Sequence, residues 1–408
     1  MINQDIEITR TLLLYGASPN STTTTIGRES CTDVKVIYEH PLVIAAELRN
    51  IPMVELLLSH GADPNGVTAH TTRDTISGIS KVTASITALY CAVERTDVDM
   101  VKLLILRGAK TDCRGKYGDT VFHLVADCTS WRKWHKDPHS ADFPSQHCDE
   151  QSEVLRLCLN SSSHTSKTLR LRNDAGYSTL HHAVSNGCTR NVQILLDAGA
   201  DPNRGQSPLI MDIHGSPLHV AIYKGFYDIA QALLLSGSNL NLTNFWGYTP
   251  LLNNVLRCRS SDIMTDTLIV HGASLEIPSS QKLTLISRCI RNMKEDCEDT
   301  CRLLVYAGCS TKEESWLRPF DSEQSKVEVL CDWLRTRRNN PHRLKALSRI
   351  YIRTFLSEKV TKGCSIVGGV LKLPLPKIMH GYLLLKEIVD VDCHPHKAAV
   401  TQPGVVQG

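Results

Sequence analysis

The chain has 408 residues, 42% hydrophobic and 21% charged, with a formal net charge of +3. That is the composition of a folded soluble protein, and so small a charge creates no global field for nucleic acid or an anionic membrane. No run approaches the ~18 apolar residues of a membrane span, and the amino terminus lacks a charged stretch followed by an apolar signal core. The 15 cysteines are scattered singly from Cys31 to Cys393, which suits reduced thiols in the cytoplasm or nucleus better than a disulfide framework.

One phrase returns along the chain: an apolar helical run, then glycine with a small residue, then a polar turn. It reads LLLYGASPN from Leu12, VELLLSHGADPN from Val54 and VKLLILRGAKTD from Val101. It recurs as VQILLDAGADPN from Val192, IAQALLLSGSNLN from Ile229, DTLIVHGASLE from Asp266 and CRLLVYAGCS from Cys301. Gly199, Gly237, Gly272 and Gly308 are separated by 38, 35 and 36 residues. Leu, Val and Ile at helical spacing make one apolar face, and the glycine permits the left-handed backbone that ends a helix. Upstream sit helix-start signals. Ser216-Pro217-Leu218-His219-Val220-Ala221 and Thr249-Pro250-Leu251 put a hydroxyl at the cap and proline at the first helical position. Ser178-Thr179-Leu180-His181-His182-Ala183 and Thr120-Val121-Phe122-His123 are degenerate versions, and Pro41-Leu42 and Ala88-Leu89 keep less.

As a set these segments resemble ankyrin repeats, over about residues 1–310. The resemblance implies seven complete repeats and one partial, the partial one being Met1 to Asn20, which holds only a second helix and its turn. Insertions at 21–40, 67–86 and 129–149 are expected to be surface excursions, because stacked repeats accept extra length only at their loops. Asn253 and Asn254 stand where the pattern calls for core residues, so that repeat is expected to be less regular.

After Ser310 the period stops. Residues 311–336 read as a linker with a short capping helix over Val327 to Leu334, carrying Trp333. Arg335, Arg337, Arg338, Arg343, Lys345, Arg349 and Arg353 make a basic stretch, read as a solvated linker and helix face. Within it Leu344, Leu347, Ser348, Tyr351, Ile352 and Phe355 share one side of an amphipathic helix of about four turns. A loop with Gly368-Gly369 follows, then Leu373-Pro374-Leu375-Pro376 and an apolar helical segment from Ile378 to Ile388.

This arrangement over 337–388 resembles the SOCS box, and the whole chain is similar to the ankyrin-repeat and SOCS-box family. The resemblance implies an all-α fold, an ankyrin-repeat solenoid followed by a small helical SOCS-box domain, with 389–408 a disordered tail. It implies docking of elongin B/C through Leu344, Leu347, Ser348 and Ile352, with serine standing at 348 where the family commonly has cysteine. It implies cullin-5 with a RING-box subunit on Leu373, Pro374, Leu375 and Pro376. Independently of the family, buried leucines at this spacing would anchor a helix in a partner's groove, and the prolines hold an extended shape before contact. The other reading of the same helix is a cap on the array.

No phosphate-cradling glycine loop, HExxH, nucleophile elbow or CxxC is present. His123, His181 and His219 occupy the T-P-L-H slot and read as structural hydrogen-bonders. Cys128, His135, His139, His147 and Cys148 are zinc-type donors without finger spacing, so no metal or cofactor is expected. Tyr117, Tyr177, Phe245, Trp246 and Tyr248 fall near hairpin tips, either as contacts for a protein substrate or as packing between tips. The expectation is a non-catalytic substrate adaptor of a ubiquitin ligase; an ankyrin scaffold or signalling adaptor with no ligase is the alternative.

Overall fold

A computed structural model describes residues 2–28, 33–74, 80–126, 145–162, 165–204, 215–257, 263–276, 285–292 and 298–309. Beyond these it describes 332–334 and separate positions between 350 and 384. The chain divides into two compact units, Met1–Asp201 and Pro202–Gly408.

In the first unit α1 (Ile2–Leu14) stands alone and packs on α3. The helix pairs are α2 (Pro41–Glu47) with α3 (Ile51–Ser59), α4 (Ala88–Glu94) with α5 (Val98–Leu106), and α6 (Val121–Ala126) with α7 (Ser145–Ser161). After the short α8 (Thr165–Thr168) comes the pair α9 (Thr179–Ser185) and α10 (Thr189–Asp197). Helices α2, α4, α6 and α9 stack as an inner row, and α5, α7 and α10 as an outer one. The second unit repeats the scheme with α11 (Pro217–Lys224) and α12 (Tyr227–Leu235), α13 (Pro250–Arg257) and α14 (Ile263–Val270), and α15 (Leu285–Asn292) and α16 (Glu298–Ala307).

The starts and stops are chemical. Thr87, Asp97 and Asn50 accept the amides of Tyr90, Met100 and Met53 through their side chains, supplying partners that the first helical turn lacks. Each phrase glycine from Gly16 to Gly308 has a positive φ, the left-handed turn the sequence called for. An asparagine after the phrase ties one turn to the next. Asn65 donates to Gly108 O at 3.3 Å and accepts Lys110 N at 2.8 Å, and Asn203 bonds Gly237 O and Asn239 N in the same way. Between the rows lie fully buried Leu42, Leu89, Phe122 and Leu180 in the first unit, and Leu218, Ile229 and Leu233 in the second. The repeat with Asn253 and Asn254 buries both; Asn254 Nδ2 donates to Thr265 Oγ1 at 2.8 Å, while Asn253 Nδ2 has no partner among the described residues.

Two of the insertions do more than leave the surface. They form β1 (Thr23–Arg28), β2 (Asp33–Glu39), β3 (Val67–Asp74) and β4 (Ser80–Thr87), an antiparallel sheet in the order β1-β2-β3-β4. Two hairpins thus join edge to edge: Tyr38 pairs with Thr24 on one side and Ala69 on the other. Thr and Val are stiff at χ1 and suit a pleated surface, which is why Ser/Thr-rich insertions extend as strands. The insertion at 129–149 lies mostly outside the described residues.

Candidate functional site

The hairpin tips are built first by backbone. In the second unit Asn244 Oδ1 accepts the amides of Trp246 and Tyr248, both at 3.0 Å, folding a tight turn that Gly247 completes at φ 74°. The turn holds Phe245 and Trp246 outward, 54% and 55% exposed, with their rings edge to face at 5.4 Å. Tyr248 is half-buried, and its carbonyl accepts from His219 Nε2 at 2.9 Å. In the first unit Tyr117 is 76% exposed in a left-handed turn at φ 56°. Tyr177 is half-buried beside the rings of His181 and His182, and its carbonyl accepts from His123 Nε2 at 3.0 Å. Solvent therefore reaches Tyr117, Phe245 and Trp246, while Tyr177 and Tyr248 also serve the packing of the tips.

The histidines explain that packing. His219 Nδ1 accepts from Ser216 N at 3.2 Å, and its Nε2 proton goes to Tyr248 O, so one neutral ring caps its own helix and pins the next hairpin. Burial holds its pKa down to about 4. His123 makes the same bridge from Thr120 to Tyr177, and burial, helped by His182, lowers it to about 4. His181 Nδ1 lies 2.9 Å from Ser178 Oγ. These are structural groups, as the sequence pattern indicated.

The C-terminal module sits on the last repeats. Leu356, Ile366, Val370, Leu383 and Leu384 form a small buried core, with Val270, Val367 and Leu373 packed against it. Arg353, read from sequence as part of a solvated basic face, is instead 5% exposed. Its guanidinium donates to Leu383 O at 2.6 Å and to the carbonyls of Ile269 and Val270 at the end of α14. Nothing local in the sequence separates it from the neighbouring arginines, because the carbonyls it serves are 30 to 84 residues away. Gly368-Gly369, expected in a loop, lies in a short helix, α17 (Val367–Leu371), capped by the main chain. Trp333 packs edge-on to Tyr306 at 6.1 Å and under Arg302 at 5.5 Å.

Of the residues expected to dock partners, Ile352 is 36% exposed and Leu375 37%, and Leu373 is partly buried. Leu344, Leu347, Ser348, Pro374 and Pro376 lie outside the described residues, as do most of the zinc-type donors. Among the described residues no group of three metal-type side chains converges, and no helix is long and apolar enough to cross a membrane.

A family model described as ankyrin repeats (many copies) matches residues 42–105 and 180–234. The mouse B-cell lymphoma 3 protein homolog is 31% identical over 170 residues, 40% of this chain and 31% of that protein. Ankyrin repeat and SOCS box protein 16 is 25% identical in mouse, covering 73% of this chain and 66% of that protein, and 24% identical in human, covering 73% and 67%. The chain therefore spans about a third of the first relative and about two thirds of the second. The solved ankyrin repeat domain of Bcl-3 superposes with a TM-score of 0.45 at 24% identity, covering 61% of this chain and 93% of that one. Residues 42–105 and 180–234 thus match ankyrin repeats, and over 73% of its length the chain is similar to an ankyrin repeat and SOCS box protein.

Proposed function

We propose that the chain is the substrate-recognition subunit of a ubiquitin ligase of the elongin, cullin and SOCS-box type, with no catalytic group of its own. The repeats over 1–310 hold a target protein, with Tyr117, Phe245 and Trp246 as the accessible anchors and Tyr177 and Tyr248 beside them. The box over 337–388 holds elongin B/C through Leu344, Leu347, Ser348 and Ile352, and cullin-5 with its RING-box subunit through Leu373, Pro374, Leu375 and Pro376. The mechanism is proximity: target lysines are kept at high effective concentration near the ubiquitin-charged enzyme, which marks the target for proteasomal degradation. The site of action is the cytoplasm, extending to the nucleus.

The observation that carries this reading is the two-sidedness of the segment around 350. Ile350 and Arg353 turn toward the chain's own repeats and Leu356 toward the core of the module, whereas Ile352 is 36% exposed. A helix advances about 100° per residue. On the sequence spacing, Leu344, Leu347, Ser348, Tyr351 and Phe355 then fall on the side opposite Ile350, Arg353 and Leu356. An apolar stripe at that spacing is what a partner's groove would take. The scaffold reading is favoured by a different observation, the buried contacts of Arg353 on the repeats, since a simple cap would make them too.

Co-expression with elongin B/C separates the two. The wild-type chain co-purifies with the pair, and Leu344→Ala weakens capture about 10- to 150-fold, the equivalent of the 1.5–3 kcal/mol for one buried leucine. Its circular dichroism stays that of the folded array. Equal recovery of elongin with both chains, or none with either, overturns the ligase reading.

A further inference from the structure

The repeats treat their phrase glycines in two different ways. At Gly16, Gly61, Gly108, Gly199 and Gly237 an added Cβ would meet nothing within 4 Å. At Gly272 it would lie 2.8 Å from Ile366 Cγ2, and at Gly308 it would lie 2.8 Å from Ile350 Cγ2. Two glycines that end helices therefore also serve as slots, each filled by an isoleucine of the C-terminal module.

Beside the first slot the helix end is saturated by the same module. The last carbonyls of a helix have no partner within it. On α14 the carbonyls of Ile269 and Val270 take Arg353, and the next one, His271 O, takes the amide of Ile366 at 2.9 Å. His271 Nδ1 meets Ser365 Oγ at 2.6 Å. The second arm of the Arg353 guanidinium reaches Leu383 O at 2.6 Å, so one side chain ties α14 to Leu383, while His271 holds Ser365 and Ile366 beside it. A planar fork of donors fixes direction as well as distance, and a cation is favoured at the negative end of a helix dipole. An apolar residue at 353 would pack against Leu356 and Leu383 but leave those carbonyls without this donor.

We propose that Arg353 is a positioning residue: it locks the C-terminal module onto the last two repeats in one orientation, making it a fixed arm. Ile352 is its immediate neighbour, so the same lock decides which way the outward face points. The functional part of this inference rests on the ligase reading above; the mechanical part does not.

The test uses the full chain with Arg353→Met, which keeps length and removes the donors, and Arg353→Lys, which keeps charge without the fork. Amide exchange is followed in peptides over 365–384 against peptides over 217–235. Arg353→Met raises exchange in the first set tenfold or more and leaves the second unchanged, with Arg353→Lys between. In a reconstituted assembly with elongin B/C, cullin-5, its RING subunit and charged E2, the variants still bind elongin. The set of array lysines that acquire ubiquitin, narrow in the wild type, broadens in the variants, a change that loss of stability alone does not produce. Unchanged exchange over 365–384, or an equal rise over 217–235, overturns the lock. If the wild type captures no elongin, the ligase reading fails and the exchange comparison still decides the mechanical claim.

Discussion

Acidification is expected to loosen the array through its bridging histidines, and His219 allows the size of the effect to be worked out. The ring is fully buried and neutral, with its unprotonated Nδ1 on Ser216 and its Nε2 proton on Tyr248 O. Burial brings its pKa from 6.5 to about 4. A base depressed in the folded state binds a proton more readily once unfolded, so the stability this neutral ring contributes is complete above pH 6.5, declines as pH falls, and is fully lost below about 4. Each pH unit well inside that window costs about 1.4 kcal/mol, so moving from pH 6.5 to 4.5 removes roughly 2 kcal/mol for this one residue. His219→Gln abolishes the titration. At pH 7.5 the variant should be less stable by about 1–3 kcal/mol, from imperfect replacement of buried hydrogen bonds. By pH 4.5 the gap should close or reverse. Urea unfolding followed by circular dichroism at pH 7.5, 6.5, 5.5 and 4.5 measures both slopes. If wild type and variant lose stability in parallel across that range, His219 is not titrating from a buried neutral state and the reasoning is wrong.

Two further substitutions probe the turns. Thr96 occupies a left-handed turn at φ 55°, where the corresponding turns of other helix pairs have Gly187 and Gly225. Relief of that strain, reduced by the greater entropy of glycine in the unfolded chain, should let Thr96→Gly stabilise the protein by about 0.5–1 kcal/mol; a lower urea midpoint would refute it. Asn203 is held by Gly237 O and Asn239 N in the next turn, so Asn203→Ala should cost about 1–3 kcal/mol. The loss should appear as faster amide exchange around Ser238, whereas Asn239→Ala, which leaves its backbone amide in place, should change that exchange much less.

Much of the array was written locally. The hydroxyl and proline before Leu218, the stripe of α12 and the glycine that ends it act over three or four residues, and a single sequence displays such spacings. The roles of His123 and His219 were legible for the same reason, because each bonds the residue three places before it. The strands were less so: Thr- and Val-rich runs can be read as extended, but the pairing of β2 with β3 spans the whole of α2 and α3. Of the aromatics at the tips, sequence placed the set, and only the carbonyl bonds of Tyr177 and Tyr248 distinguished them from the exposed Phe245 and Trp246. At the C-terminal module the separation is sharpest. Gly272 and Gly308 look like every other phrase glycine, and Arg353 looks like its basic neighbours. What sets them apart is the approach of Ile366, Ile350 and the end of α14, contacts made across tens of residues. Periodicity determines which faces are apolar; only chain packing decides which partner each face, carbonyl and charge will find.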